Sequence, residues 1–573
     1  MSSQQRLMLA GLLSVLIFVG WSYLFPPELP QSDASGEQAD AGEAGKTDAD
    51  KTEPGKTDPQ APSEPLAPVA PQAEIAALEH RLVNDVIAIE VGNGSEGLIT
   101  GVEAIEQQFE GAEGKGLDFL MLAGAGTLAL GFDSESTDFA WPKQRAELLT
   151  KDDRHIALRR VTGDVEVRET LTLLDGYEAK YEVVVAHRGS KGALAHRVEL
   201  TTRMGLGESS QYDIHRALCR TPEDLEDFDH GDVEDGEVER IKDGVDWFAL
   251  DSKYFLHAIV GGERLTGCVV QSDETNTMLV NTGLARSVTL EPGTQQRYEF
   301  ALYLGAKRDS QLEGFPASTA LADLPDASLD EAIDWGWFGG LSKFLGTMML
   351  DLLRWFHQLT GIWGVAIILL TVVVKLVLLP LTIKQYKSMR KLKEINPELV
   401  KLREKYADDK VKLNQEMQAL FMRTGANPLS GCLPLLIQFP VWIALYAMLG
   451  AVVDLYHESY LWLPDLTQPD PYYILPLSMG ALMFVQTKMN PSTGDEQQMK
   501  MMLWMMPGIF VVMMLFLPSG LGVYIFANLV LSLLQSFVQL RIPSGDPATA
   551  PAPAPSGNVG KVGKGRERPK SDK

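Results

Sequence analysis

The sequence predicts a multi-domain protein: an α-helical integral membrane bundle of six transmembrane helices, five of them forming its core, and an all-β domain outside the cytoplasm. Three observations support this prediction. The chain has 573 residues, more than one hydrophobic core usually organises. Residues 75–315 contain short segments in which apolar and polar residues alternate. Residues 362–540 contain five long apolar runs.

The first 74 residues predict an anchor followed by a linker. Residues 7–25 form an uncharged apolar stretch behind Arg6, long enough to cross about 30 Å of hydrocarbon. The stretch ends in aromatic residues and two prolines without a small-x-small cleavage site, so residues 1–25 are predicted to be a retained transmembrane anchor. A cleaved signal sequence is the alternative. Residues 26–74 are acidic and rich in proline, which predicts a disordered linker.

The segment 75–320 is predicted to be a β-sandwich. Its alternating stretches are typical of antiparallel strands with one buried face; they are DVIAIEV (85–91), VEVRETLTLL (165–174), YEVVVAH (181–187) and YEFALYLG (298–305). No spacing typical of a zinc or calcium site occurs, so no metal and no other cofactor is predicted. Cys219 and Cys268 are predicted to be isolated buried thiols, with a disulfide in an oxidising compartment as the alternative.

The C-terminal half predicts an interfacial helix and a membrane domain. Residues 338–361 are amphipathic at the helical period and have aromatic residues near their end, as in a helix lying in a membrane interface. The membrane domain is predicted over 362–541. Its apolar runs cover about 362–383, 431–453, 472–489, 501–517 and 521–540. Residues 384–424, dense in charges of both signs, predict a cytoplasmic helical hairpin, and residues 542–573 a basic cytoplasmic tail.

Charge predicts the orientation of these segments. The chain has a net charge of −25, but residues 346–573 hold 22 Lys/Arg against 16 Asp/Glu, so the preceding part carries −31. Such an acidic part would repel phosphates, which excludes nucleic acid as its partner. Segment 384–423 has 11 Lys/Arg, whereas loop 454–470 has none. Six spans with both termini in the cytoplasm therefore satisfy the positive-inside rule.

Lys375 is the most informative residue, because it is the only charge within the run 362–383. An ammonium at that depth costs at least about 2.5 kcal/mol unless it meets water or polar partners. At about 100° per residue, Thr371, Lys375 and Thr382 share one face of their helix. This polar stripe predicts a hydrated cavity. The alternative is a lysine that only extends its ammonium towards the membrane surface.

A second polar stripe lies on the last apolar run and agrees with the first. Tyr524, Asn528, Ser532 and Gln535 fall on one helical face, and Gln438 adds a lone amide on another run. No Asp or Glu lies within the five runs, so Lys375 has no partner of opposite charge there. An acidic or polar group that arrives from elsewhere would suit it. In the alternative interpretation, these amides only hold the helices together.

Four stretches give the chain a specific resemblance to the Gram-negative YidC-type membrane protein insertases. They are TVVVKLVLLPLTIKQYKSMRKLKEINPEL (371–399), ANPLSGCLPLLIQFPVWIALYAML (426–449), DLTQPDPYYILPLSMG (465–480) and LPSGLGVYIFANL (517–529). The resemblance covers essentially the whole length. It implies a periplasmic β-supersandwich domain, to which DWFALDSKYFLHAIV (246–260) is the best match.

The resemblance also implies a function that is not enzymatic. Insertases of this type insert and fold inner-membrane proteins, alone or beside the Sec translocon, and ribosomes deliver the nascent chains; here the cytoplasmic hairpin and basic tail would meet the ribosome. A groove open to cytoplasm and lipid carries a positive residue, which corresponds to Lys375. The family usually has arginine there, so bidentate geometry is lost while charge is kept. The predicted groove residues are Thr371, Lys375, Gln438, Tyr524, Asn528 and Ser532.

Two other classes of function remain as alternatives. A secondary transporter or channel would bind an anionic solute at Lys375, but the spans have no evident internal repeat. An anchored sugar-binding or mutarotase-like enzyme would need convergent histidines and carboxylates in the β-domain, and the nine histidines of the chain form no recognisable motif.

Overall fold

A computed structural model describes most of the chain after residue 74. The described ranges are 75–109, 115–122, 125–142, 144–206, 215–233, 236–242, 244–261, 265–273, 275–318, 327–336, 339–406, 409–424, 433–489 and 496–541. The predicted anchor (1–25), linker (26–74) and tail (542–573) lie outside these residues.

Residues 79–306 form antiparallel β-structure in four sheets. A four-stranded sheet contains β1 (Glu79–Val83), β2 (Ile87–Gly92), β3 (Ile99–Ala104) and β4 (Leu117–Asp118). A five-stranded sheet has the order β14 (Val238–Ile241), β17 (Leu265–Ser272), β18 (Met278–Ala285), β11 (Val198–Gly205) and β5 (Ala129–Phe132). A two-stranded sheet joins β10 (Leu194–His196) and β19 (Val288–Leu290).

The largest sheet has nine strands. Its order is β13 (Leu225–Asp229), β12 (His215–Arg220), β15 (Trp247–Ser252), β16 (Phe255–Val260), β20 (Gln295–Ala306), β9 (Glu178–His187), β8 (Val165–Leu173), β7 (His155–Thr162) and β6 (Glu147–Lys151). The four alternating stretches predicted as strands coincide with β2, β8, β9 and β20, which confirms them. Along β7 and β9, buried residues alternate with half-buried ones, as expected when one face of a sheet covers a core.

The five- and nine-stranded sheets are cross-linked through their shared core. Cys219 on β12 and Cys268 on β17 form a disulfide, with their Cα atoms 6.5 Å apart. The prediction of isolated thiols was therefore wrong, because the sequence does not reveal that these two strands face each other. The fully buried Asn281 on β18 adds a polar link: its amide nitrogen donates to the carbonyls of Leu218 and Ala249 in the larger sheet.

The segment after β20 packs against the nine-stranded sheet. It contains a short helix, α1 (Asp309–Leu312), and a single helical turn at Leu329–Ala332. Phe315 packs edge-on against Tyr303, and the carbonyl of Ala332 accepts a hydrogen bond from Arg216. The same arginine binds Asp251, which also pairs with the buried ammonium of Lys307.

Seven helices follow in the described C-terminal part. They are α2 (Gly339–Thr360), α3 (Trp363–Lys405), α4 (Lys410–Thr424), α5 (Leu433–Ala451), α6 (Ile474–Met489), α7 (Glu496–Met514) and α8 (Ser519–Arg541). The five predicted apolar runs are helical, as expected. Within the described residues, Trp363–Gln385 and Ser519–Val538 are long and apolar enough to cross a membrane, and three further apolar helical stretches are shorter. The count of six transmembrane helices stays a prediction.

Helix α2 is amphipathic, as its sequence predicts. Its most exposed apolar side chains fall within about 60° of one another on a helix with about 100° per residue; they are Leu341, Phe344, Met348, Trp355 and Leu359. Met349, Leu350 and Leu353 are buried on the other side. Gly346 allows close packing there, because a Cβ at this position would lie 2.5 Å from the Trp335 ring.

Candidate functional site

The two longest apolar helical stretches, within α3 and α8, pack against each other and carry the two polar stripes. On α3, the Nζ of Lys375 donates a hydrogen bond of 2.7 Å to the hydroxyl of Ser532 on α8. This hydroxyl in turn donates to the carbonyl of Asn528 one turn earlier, at 2.7 Å. The ammonium therefore meets a neutral oxygen whose lone pairs face it, which satisfies one of its three donors.

A second polar contact joins α5 to α8. The amide nitrogen of Gln438 donates to the phenol oxygen of Tyr524 at 2.8 Å. Tyr524 is almost fully buried, at 1% exposure, so the contact removes the cost of an unpaired hydroxyl among apolar side chains. This hydrogen bond brings together two predicted groove residues that lie on different helices and are separated by 86 positions in sequence.

A third contact lies further along the same helix pair. The amide nitrogen of Gln535 on α8 donates to the hydroxyl of Thr382 on α3 at 3.0 Å. Thr382 is seven residues beyond Lys375, about 10 Å along an α-helix. The order along α8 is thus Tyr524, Ser532 and Gln535, each in a polar contact with a neighbouring helix. Together these three contacts form a polar ladder, the name used below for the set Gln438–Tyr524, Lys375–Ser532 and Thr382–Gln535.

Lys375 lies at the border between packed and open surface. It is half-buried, whereas the next two residues of α3, Leu376 and Val377, are 60% and 70% exposed. Leu376 and Val377 are thus turned outward, and the lysine is turned towards α8. An apolar exterior is what lipid tails would cover, and a polar interior is what water or a polar guest would occupy.

Two other predicted residues have more local roles in the structure. Thr371 is fully buried, and its hydroxyl donates to the carbonyl of Ile367 in its own helix at 2.7 Å. Asn528 is half-buried and offers its backbone carbonyl to Ser532. Thr371 therefore donates its hydroxyl proton within its own helix, while Asn528 orients the hydroxyl that receives Lys375.

Comparisons with known proteins agree with the resemblance noted in the sequence. A family model described as "YidC periplasmic domain" matches residues 116–348, and one described as "60Kd inner membrane protein" matches residues 355–544. A protein from Anaeromyxobacter sp. (strain K), named membrane protein insertase YidC, is 35% identical over 412 residues, 70% of this chain and 72% of the relative. The chain belongs to the YidC family.

A second relative extends this match along the chain. A protein of the same name from Maridesulfovibrio salexigens is 32% identical over 560 residues, which is 94% of this chain and 99% of the relative. A solved structure titled as an active YidC insertase with its first transmembrane domain resolved superposes with a TM-score of 0.36 and 18% identity, covering 82% of this chain and 95% of that one. The two family models and the two relatives show that this chain is a YidC-family inner-membrane protein with a periplasmic β-rich domain and a helical C-terminal part.

The six predicted groove residues of this YidC-family chain do not include the Thr382–Gln535 pair. Both residues lie on the predicted polar stripes, so helical periodicity alone could have found them. No cluster of three metal-binding side chains occurs within the part of the chain that the structure describes.

Proposed function

We propose that this chain inserts and folds inner-membrane proteins through a hydrated groove between α3, α5 and α8, open to the cytoplasm and to lipid, in which Lys375 is the positive charge. The single observation that carries this proposal is the hydrogen bond between Lys375 and Ser532, which joins two helical stretches long and apolar enough to cross a membrane. The proposed groove residues are Thr371, Lys375, Gln438, Tyr524, Asn528 and Ser532.

The electrostatics of Lys375 favour a guest over a permanent partner. In the described part of the chain, the hydrogen bond of its ammonium is to a neutral hydroxyl, and no described residue forms an ion pair with it. A carboxylate within the membrane-spanning segments would have neutralised it at lower cost. A charge left in this state attracts an acidic or polar segment of another chain.

The polar ladder supports a path for such a segment. Its three contacts follow one another along α8, at Tyr524, Ser532 and Gln535. The polar tail of a client that moves along α8 would therefore pass from one polar group to the next. Each polar group it meets lowers the cost of removing the tail from water. The apolar helix of the client then gains burial in lipid, which supplies free energy without nucleotide hydrolysis.

The cytoplasmic hairpin is the proposed contact for delivery of clients. Helix α3 continues as far as Lys405, and α4 folds back to pack against it through Ile395, Leu399 and Leu420. The hairpin has 11 Lys/Arg between residues 384 and 423, so its surface suits the ribosome, which presents RNA. Nascent membrane proteins, the ribosome, the Sec translocon and the surrounding bilayer are the proposed partners, and the basic tail 542–573 would add to ribosome binding.

The proposed topology follows the charge bias. The anchor at residues 1–25 and the five apolar helices give six transmembrane helices with both termini in the cytoplasm. The β-domain (75–320) then lies in the periplasm, α2 lies in the outer interface, and the membrane domain covers 362–541.

Site-specific photocrosslinking during translation of a short membrane protein tests this function. A photoreactive residue is placed at position 371, 375 or 528, and at Val377 as a control, since Val377 lies on the same helix with an outward apolar side chain. Positions 375 and 528 are expected to crosslink the nascent chain well above the level at Val377. Equal crosslinking at all positions would contradict the groove. Transport of an anionic solute that depends on Lys375, without such crosslinks, would favour a transporter instead.

A further inference from the structure

Three consecutive residues at the end of β20 each bind a different part of the molecule. The ammonium of Lys307 is buried and donates to Asp251 within the nine-stranded sheet at 2.8 Å. Arg308 binds Glu106, which follows β3 of the four-stranded sheet and also accepts from the hydroxyl of Tyr177. Asp309 binds Arg354 of α2. This Lys307–Asp309 segment therefore connects the sheets of the β-domain to a helix outside it.

Arg354 on α2 binds Asp309 and a second carboxylate, that of Asp454. Its guanidinium donates two hydrogen bonds to the carboxylate of Asp309, at 2.9 and 3.2 Å, a bidentate arrangement that fixes direction as well as distance. One of the same nitrogens also lies 2.8 Å from the carboxylate of Asp454, in the turn that follows α5. Arg354 thus bridges the β-domain, the interfacial helix and the outer end of a groove helix.

An aromatic contact beside this ion bridge joins the same parts of the molecule. Tyr456, two residues after Asp454, packs against three rings of the β-domain: Tyr254 at 5.1 Å, Phe109 at 5.9 Å and Phe255 at 6.1 Å between centroids. Aromatic pairs at such distances contribute about 0.5–1.5 kcal/mol each beyond their buried area. The ion pairs of Arg354 with Asp309 and Asp454 therefore lie next to an aromatic contact that also joins the β-domain to the turn after α5.

The position of α2 explains how this arrangement reaches the groove. Helix α2 packs against both α3 and α5, the helices that carry Lys375 and Gln438. Arg354 lies beside the exposed apolar face of α2, about 80° to 140° around the helix from the five members of that face. Because Arg354 binds Asp309 and Asp454 at once, a tilt of α2 would break or strain its hydrogen bond to the turn that follows α5.

We infer that Arg354 is a positioning residue for insertion: by joining Asp309 of the β-domain to Asp454 at the outer end of α5, it fixes the helix that carries Gln438 relative to Lys375 and α8. This inference rests on the proposed insertase function. In this inference the β-domain contributes to insertion by fixing the positions of α2 and α5 through Arg354.

Distance measurement and insertion together test the inference in the full-length protein. Spin labels at Asp175 and Leu461, whose side chains are 94% and 76% exposed, report the position of the β-domain relative to the periplasmic loop. Arg354→Gln is expected to broaden the distance distribution and to reduce insertion of a single-span client with an acidic translocated tail about tenfold, equivalent to about 1.4 kcal/mol.

Arg297→Gln is the matched control. Arg297 also holds two carboxylates, Glu182 and Glu299, but all three lie within the nine-stranded sheet, so neither the label distances nor insertion should change. Arg354→Lys keeps a positive charge between the two carboxylates and is expected to restore part of both readouts. Such rescue would not follow if Arg354 only added general stability.

If Arg354→Gln does not fold, Asp454→Asn replaces it. That variant keeps the pair with Asp309 and should still broaden the distribution. Unchanged distances, or changed distances with unchanged insertion, would overturn the inference. A wild-type protein that inserts no client would instead overturn the proposed function, and the label distances would still decide whether Arg354 holds the domains together.

Discussion

The Lys375 ammonium on α3 and the Ser532 hydroxyl on α8 lie 2.7 Å apart, within two helical stretches that are long and apolar enough to cross a membrane. Ser532 accepts from the lysine while it donates its own proton to the carbonyl of Asn528. A serine can be displaced by a better acceptor, such as a carboxylate, at little cost. In the proposed function, Ser532 therefore holds the Lys375 ammonium in place until an acidic segment of a client replaces the hydroxyl.

Replacement of Lys375 separates charge from geometry. Lys375→Glu should reduce insertion of clients with acidic tails by more than tenfold, because the new carboxylate repels the tail and itself costs at least about 2.5 kcal/mol at this depth. Lys375→Arg should retain nearly full insertion. The measurement is protease protection of a client tail in proteoliposomes. Equal insertion by both variants would refute the electrostatic role.

The Gln438–Tyr524 contact predicts a measurable coupling between two helices. Gln438→Leu and Tyr524→Phe each remove one partner, and a double-mutant cycle should give a coupling energy of about 0.6 kcal/mol, with about 1.7 kcal/mol as the upper end for such pairs. The measurement is unfolding of the full-length protein in detergent. Thr487→Val is the control, since its hydroxyl bonds only within its own helix in the described residues. Additive effects of the two variants would contradict the contact.

The sequence predicts features that depend on residues close together in the chain. It does not predict contacts between segments that are far apart in the chain. Helical periodicity placed Lys375 and Ser532 on polar stripes because it is a local property. It did not pair Gln438 with Tyr524, since nothing local specifies which helices become neighbours. The disulfide and the contacts of Arg354 were missed for the same reason: each joins segments whose relative position depends on the packing of the whole domain.

The disulfide predicts a large contribution to stability. Cys219 and Cys268 are separated by 49 residues, and closing a loop of that length stabilises the folded state by about 4 kcal/mol in the chain-entropy model. Replacing both with alanine, or reducing the wild type, should lower the unfolding free energy of the β-domain by about that amount. Urea unfolding of the full chain, with Cys432→Ser as the reference, measures it. Two free thiols in the Cys432→Ser protein, purified without reductant, would contradict the bond.

Two buried histidines predict that the β-domain loses stability in acid. Burial lowers the pKa of His257 to about 3 and that of His196 to about 4, below the ordinary value of 6.5. Since the unfolded chain takes up the proton first, stability is complete above pH 6.5 and falls as the pH drops towards 4, by roughly 2 kcal/mol for each histidine between pH 7 and pH 5. Hydrogen exchange of β16 amides in the full-length protein measures this. His257→Leu should remove about half of the pH dependence. A His257→Leu profile identical to that of the wild type would show that this ring does not titrate on unfolding.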